Sequence, residues 1–152
     1  MDKIEVLKRS DVFRELNDDQ LNAIVGLSTV ETLEPGTVIY HQNAILDKIR
    51  VIEEGLVAIL LELGPLSQRQ VTAATNFETI GWSAMVPPYL ATTTGKAIEK
   101  TRVITFSGHE LLHFCEHNGE IGTLIYRGIA RVVAERLHAA FMQCVGVTTS
   151  DD

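Results

Sequence analysis

The sequence predicts one mainly antiparallel β domain with helices before and after it. Val, Ile and Thr are concentrated in residues 29–106, and turn-forming residues interrupt this segment at short intervals. Short strands punctuated in this way are typical of an antiparallel sandwich or barrel. On either side the apolar residues recur at helical spacing instead, which predicts helices within 2–28 and 107–145.

Length and composition restrict the class of protein. A chain of 152 residues with 45% hydrophobic and 22% charged residues is expected to form one globular domain, 1–152. Its net charge of −7 argues against a nucleic-acid partner, because phosphate binding requires clustered cations. Neither a membrane-spanning run nor a secretion signal is present in the sequence, so we expect a cytoplasmic protein without a membrane partner.

Local signals place several element ends. Asn17 or Asp18 is a good N-cap for the helix that ends near Leu27. Gly55 is expected at a tight turn with positive φ, and the turn 64–67 separates two strands of a hairpin. Ser107 is expected to cap the helix that follows the last strand.

The last helix, predicted over 120–144, has two apolar faces. One face is expected to pack on the β domain, and it carries Ile121, Leu124, Ile125, Ile129 and Val132. The other has the alternating spacing of a coiled-coil seam, and it carries Tyr126, Ala130, Val133, Leu137, Ala140 and Cys144. A domain of this size covers only one such face, so a parallel homodimer is the simplest prediction. The alternative is a helix that folds back on its own β domain.

Four segments together resemble the cyclic nucleotide-binding domain family, which includes catabolite-activator-like proteins and protein kinase A regulatory subunits. They are 16–21 (LNDDQL), 33–42 (LEPGTVIYHQ), 49–58 (IRVIEEGLVA) and 81–89 (GWSAMVPPY). The resemblance implies an antiparallel β-roll, or jelly roll, over 29–106, with N-terminal helices and a long C-terminal dimerisation helix. It also implies that 80–94 is the cassette that binds the ligand phosphate.

In transcription factors of this family a helix-turn-helix domain follows the long helix. Here only residues 145–152 remain, so the sequence predicts a module that lacks a DNA-binding domain.

The cassette departs from the family pattern at both ligand anchors. The family acid that accepts the ribose hydroxyl corresponds to Trp82, and the phosphate-binding arginine falls near Ala91 and Thr92. Losing such a partner costs about 2–5 kcal/mol, so weak binding of cAMP is expected. The backbone amides of Ser83, Ala84 and Met85 after Gly81 could still meet an anion.

Two interpretations of this cassette remain open. In one, Trp82 and Tyr89 are aromatic walls of a pocket, and Thr92, Thr93 and Thr94 meet a polar group. In the other, Trp82 fills the space and the domain binds no ligand. Arg136 of the last helix could contact a ligand or lie in solvent. Lys96 could replace the missing arginine only if it points inward.

Catalytic or metal chemistry has little support in the sequence. His109, His113 and His117 have the helical spacing of a metal pair, but a third ligand is not indicated. Cys115 and Cys144 lie outside any C-x-x-C spacing. We therefore predict a protein that is not an enzyme, with neither a metal nor a resident cofactor.

These observations lead to one functional prediction and one alternative. The predicted protein is a stand-alone regulatory module that senses a small molecule and signals through its C-terminal helix to a separate effector protein. Its ligand would be a non-standard nucleotide or another small anion rather than cAMP. The alternative is a ligand-free interaction or scaffold protein whose pocket is plugged by Trp82.

Overall fold

The structure, a computed structural model, describes residues 1–146 as four α-helices and two sheets. The helices are α1 Lys3–Arg9, α2 Asp18–Val25, α3 Gly108–His117 and α4 Gly119–Cys144. The strands are β1 Ser28–Leu33, β2 Val38–Tyr40, β3 Lys48–Glu54, β4 Val57–Gly64, β5 Ser67–Ala74, β6 Thr79–Ile80, β7 Thr94–Ala97 and β8 Thr101–Ser107. Residues 147–152, most of the segment that follows the last helix, lie outside the described residues.

Two four-stranded antiparallel sheets form the β-roll that the resemblance implied. The first has the order β1-β8-β3-β6 and the second the order β2-β7-β4-β5. The hairpin β4–β5 turns at Pro65 and Leu66, and Gly55 has a φ of 142°, as the sequence predicted. The fold class predicted from the sequence is confirmed.

The inner strands of the first sheet, β3 and β8, are buried on both faces, because helices cover one side and the second sheet covers the other. Ile49, Val51 and Phe106 pack with the helices, whereas Ile52 and Val103 pack with the second sheet. The ring of Phe106 stacks on Phe13, with ring centroids 5.4 Å apart. Strands buried on two faces lose the simple alternation of buried and exposed residues, which explains why four consecutive residues of β3, 49–52, are all buried.

A charged pair lies between the strands of the first sheet. Nε of Arg50, a nearly buried side chain, is 3.3 Å from Oε1 of Glu31, and the Thr105 hydroxyl donates to the same carboxylate oxygen. The hydrogen bond from Thr105 and the charge of Arg50 lower the pKa of Glu31, although its partial burial acts in the opposite direction. The buried guanidinium is therefore neutralised within the sheet.

Capping follows the sequence signals. The Asn17 side chain accepts from the Gln20 backbone N–H and Gln20 returns the bond, which is a complete capping box. The Ser107 hydroxyl accepts from the backbone N–H of Glu110. None of the described helices is both long enough and apolar enough to cross a membrane, since even the 26-residue α4 is too polar.

Candidate ligand-binding site

A cavity of about 380 Å³ lies between the second sheet, the 80–94 segment and the C-terminal half of α4. This volume is in the range of small-molecule sites, which are mostly apolar with a few polar groups. It is lined by Asp11, Tyr40, Leu46, Ile59, Val71, Thr72, Ala73, Glu78, Gly81, Trp82, Ser83, Ala91, Thr92, Thr93, Val132, Glu135, Arg136, Ala139, Ala140 and Gln143.

One end of the cavity is shaped by a single turn of 3-10 helix, Trp82–Met85, which follows Gly81. Gly81 has a φ of 80°, a left-handed conformation that glycine adopts without steric cost. A Cβ at this position would stand 2.6 Å from the Lys48 carbonyl oxygen, so the backbone here presses directly against β3. The Ala84 amide donates to the Gly81 carbonyl at 3.0 Å and is thereby used inside the turn.

The structure brings together six of the ten residues that the sequence suggested for ligand binding. They are Gly81, Trp82, Ser83, Thr92, Thr93 and Arg136. The remaining four, Ala84, Met85, Tyr89 and Thr94, lie outside the cavity lining.

Each of those four has a place elsewhere in the packing. Met85 is fully buried in the core beneath the helices, and Ala84 packs in a small cluster with Leu46. The Thr94 hydroxyl donates to the Glu62 carboxylate at 2.7 Å, so it links β7 to β4. Tyr89 is half-buried, and its carbonyl accepts from the Leu46 amide at 2.7 Å.

Trp82 is a wall of the cavity. Its half-buried side chain packs against the core on one side, and it lines the open volume on the other. The cavity next to it stays large enough for a small molecule. An aromatic wall of this kind can stack on a flat ligand.

Helix α4 supplies the opposite wall through one continuous face. Val132, Arg136, Ala139 and Gln143 follow each other at spacings of four, three and four residues, so they lie on one side of the helix. An Arg136 guanidinium nitrogen donates to the Thr79 carbonyl at 3.2 Å, and the Gln143 side-chain amide donates to the Val71 carbonyl at 3.0 Å. These two bonds attach the helix to both sheets across the cavity.

Tyr40, a half-buried residue, contributes a phenol hydroxyl that the sequence reasoning missed. Burial raises the pKa of its phenol, while a hydrogen bond with Thr93 and the charges of Arg136 and Arg50 act in the opposite direction. The phenol is therefore neutral at physiological pH and can both donate and accept. Gly95 makes room for this ring, because a Cβ at Gly95 would stand 2.6 Å from it.

The sequence reasoning also missed other lining residues. Those on α4 could have been predicted from the helical spacing of its apolar residues. The apolar stripe through Ile125, Ile129 and Val132 continues, at the same helical spacing, into Arg136, Ala139 and Gln143. Asp11 precedes the sheets by many residues, and nothing local in the sequence connects it with the cassette.

The residues of the predicted dimer seam have three different environments. Ala130, Leu137 and Cys144 are exposed, and Ala140 lines the cavity. Tyr126 and Val133 are half-buried against the core of their own domain. The Tyr126 hydroxyl donates to the Met85 carbonyl at 3.0 Å, so this seam residue has an intramolecular partner.

Two further candidates from the sequence do not contribute to the cavity. Lys96 is exposed in β7, so it cannot stand in for the missing arginine. The rings of His113 and His117 are tilted against each other on the surface of α3, with centroids 4.3 Å apart. Within residues 1–146, His, Cys, Asp and Glu side chains form no group of three or more that could hold a metal ion.

Comparison with known proteins gave matches to solved structures only. Neither a family model nor a curated protein matches the chain. A Geobacter metallireducens protein named as a candidate cyclic nucleotide-binding protein is 27% identical, with 91% of this chain and 100% of that one covered and a TM-score of 0.78. A cyclic nucleotide-binding domain from Methylobacillus flagellatus is 11% identical, with 97% and 83% covered and a TM-score of 0.82. The catabolite activator protein of Thermus thermophilus is 16% identical, with 89% and 62% covered and a TM-score of 0.75.

The chain therefore has the cyclic nucleotide-binding domain fold, as the four sequence segments indicated. Its cavity lies between the 80–94 segment and the long helix.

Proposed function

We propose that this protein is a regulatory module that binds a small molecule in the cavity and signals through α4. The observation that carries the proposal is that residues of the β-roll and residues of α4 line the same cavity of about 380 Å³. A ligand in that space would contact both parts at once. The names of the matched proteins, which refer to cyclic nucleotide binding, support a ligand of about nucleoside size.

The signal would be a change in the position of α4. Only a ligand with different affinities for two arrangements can shift the equilibrium between them. The bonds from Arg136 to Thr79 and from Gln143 to Val71 span the cavity and are the contacts that an occupant would strengthen or displace. An effector protein would detect this change through residues of α4 that do not line the cavity.

The open volume next to Trp82 favours this proposal over the ligand-free scaffold. A plugged domain would have the indole in the space that a ligand needs, whereas Trp82 lies along its wall. The scaffold interpretation would regain support if no small molecule altered the stability or the fluorescence of the protein.

Trp82 provides the first test, because it is the only tryptophan in the chain and it lines the cavity. A panel of nucleosides, nucleotides, cyclic nucleotides and simple anions would be screened by thermal unfolding and by intrinsic fluorescence. A ligand at a hundred times its dissociation constant stabilises the folded state by about 2.7 kcal/mol.

A matched pair of variants locates the binding site of any ligand found. Ala139→Phe puts a ring into the cavity from α4, whereas Ala134→Phe puts the same ring on an exposed part of that helix. We expect Ala139→Phe to weaken binding by about tenfold or more, since it fills space that the ligand needs, and Ala134→Phe to leave it unchanged. Equal affinities in the two variants, measured by Trp82 fluorescence, would place the ligand elsewhere.

We also propose that two copies associate through the exposed apolar strip of α4, formed by Ala130, Leu137, Phe141 and Cys144. Leu137 is 52% exposed and Phe141 62% exposed, and both lie on the side of α4 away from the cavity. Leu137→Glu should convert a dimer to a monomer in sedimentation velocity under reducing conditions, because a buried unpaired charge is unfavourable. His138→Glu, at a neighbouring exposed position, is the control. A monomeric wild-type protein at high concentration would refute this proposal.

A further inference from the structure

We infer that the cavity selects an uncharged or cationic ligand and discriminates against the cyclic phosphate anion. This inference rests on the proposed function and narrows its ligand class. Three acidic residues line the cavity, Asp11, Glu78 and Glu135, against the single cationic residue Arg136, which is an excess of two negative charges. A second anion in such a site meets like charge, and like-charge placement is how binding sites exclude wrong partners.

Two of these carboxylates have hydrogen-bond partners, and none of the partners carries a charge. Asp11 accepts from the hydroxyl and the backbone N–H of Thr79, at 2.6 and 3.3 Å. Glu78 accepts from the Thr75 backbone N–H at 2.9 Å. These donors are neutral, so they orient the carboxylates without neutralising them. Glu135 is exposed at the rim, and within residues 1–146 its carboxylate has neither an ion-pair nor a hydrogen-bond partner.

Nearby cations offset this excess only in part, because none of them lines the cavity. Arg131 donates to the Asp11 backbone carbonyl, but its other nitrogen pairs with the Glu15 carboxylate at 3.0 Å. Arg50 pairs with Glu31 inside the first sheet. Lys96 is exposed on β7. In the part of the chain that the structure describes, Arg136 is thus the only cation lining the cavity, and it already donates to a backbone carbonyl.

The positions that could have supplied a cation or an additional anion contact are apolar or neutral. Trp82 offers an indole face and one N–H donor, and Ala91 is a buried methyl group in the lining. Ile59 and Val71 add apolar surface. A ligand that suits these walls is a flat heteroaromatic molecule with N–H donors, because carboxylates and the Tyr40 oxygen can accept from it.

Two series of matched probes test the charge preference separately from the identity of the ring. The first is 5′-amino-5′-deoxyadenosine, adenosine and adenosine 3′,5′-cyclic monophosphate, in order cationic, neutral and anionic. The second is 3-phenylpropylamine, 3-phenylpropanol and 3-phenylpropionate. Affinities come from Trp82 fluorescence and from amide shifts in protein NMR spectra. Since one like-charge contact in water is worth about 1 kcal/mol, we expect the anion to bind at least about fivefold more weakly than its neutral counterpart.

Variants connect any preference with the named groups. Glu135→Gln should reduce the discrimination against the anion, and Arg136→Gln should increase it. Glu120→Gln, in the exposed first turn of α4 and outside the cavity lining, should have no effect on it. Added salt should also reduce the discrimination, because it screens charges near solvent.

The outcomes separate the two proposals. Tightest binding by the anion in either series would overturn the charge inference and leave the cavity as a ligand site. Absence of binding by every probe in both series, with neither fluorescence nor amide shifts changed, would overturn both proposals. The affinities could also decrease from cation to neutral molecule to anion and yet not respond to Glu135→Gln, Arg136→Gln or salt. That result would refute the role assigned to these charges.

Discussion

Gly81→Ala is expected to lower the free energy of unfolding by about 3 kcal/mol, because two separate penalties act at this residue. An alanine with a φ of 80° is in the left-handed region, which costs about 1–2 kcal/mol. Its Cβ would also stand 2.6 Å from the Lys48 carbonyl oxygen, and overpacking against backbone costs about 1–3 kcal/mol. In thermal unfolding the loss corresponds to a midpoint lower by about 6–12 °C.

Gly36→Ala is the matched control for this prediction. Gly36 also has a left-handed φ, of 88°, but a Cβ there would meet no atom within 4 Å. Gly36→Ala should therefore lower the free energy of unfolding only by the cost of the left-handed backbone, about 1–2 kcal/mol. Equal losses in the two variants would show that the contact with β3 contributes nothing. Because Trp82 follows Gly81, the Gly81 variant alone should also change the tryptophan emission.

Gly128→Ala is expected to destabilise the protein by about 2 kcal/mol, although alanine is the better helix former by about 1 kcal/mol. Gly128 is buried in the middle of α4, where the helix crosses the segment after α1. A Cβ at this residue would stand only 1.9 Å from the Val12 carbonyl oxygen, so the helix must move away. Arg136 lies on the same helix two turns later, and we expect ligand binding to weaken together with stability.

The comparison for this variant is Gly119→Ala at the first residue of α4. A Cβ at Gly119 would meet no atom within 4 Å, so stability should stay unchanged or rise slightly. Both variants would be measured by denaturant unfolding, with the midpoints compared at equal slope. Similar stability of the two variants would contradict the close crossing of α4 over Val12.

The sequence was sufficient for the class of fold because its signals are local. Asn17 and Ser107 favour helix starts, because their own side chains bond to the backbone of the first turn. Gly55 favours a tight turn, because glycine adopts positive φ without steric cost. The four family-like segments then implied the order of these elements, and the roll and its helices follow that order.

The candidate site was accessible to sequence reasoning only in part. The cassette sequence pointed to Trp82 and Thr93, both of which line the cavity, but also to Met85 and Tyr89, which do not. Neighbouring residues of a single 3-10 turn point in different directions, so sequence proximity to Gly81 could not separate the lining from the core.

The electrostatic character of the site was decided by tertiary structure alone. Asp11 and Glu135 are far apart in the chain and each, taken by itself, is an ordinary acidic residue. The packing of α4 across both sheets brings them to one cavity, where their combined charge opposes that of an anionic ligand. Local backbone preferences are encoded residue by residue, whereas the charge of a cavity is a sum over long-range contacts that only the folded chain makes.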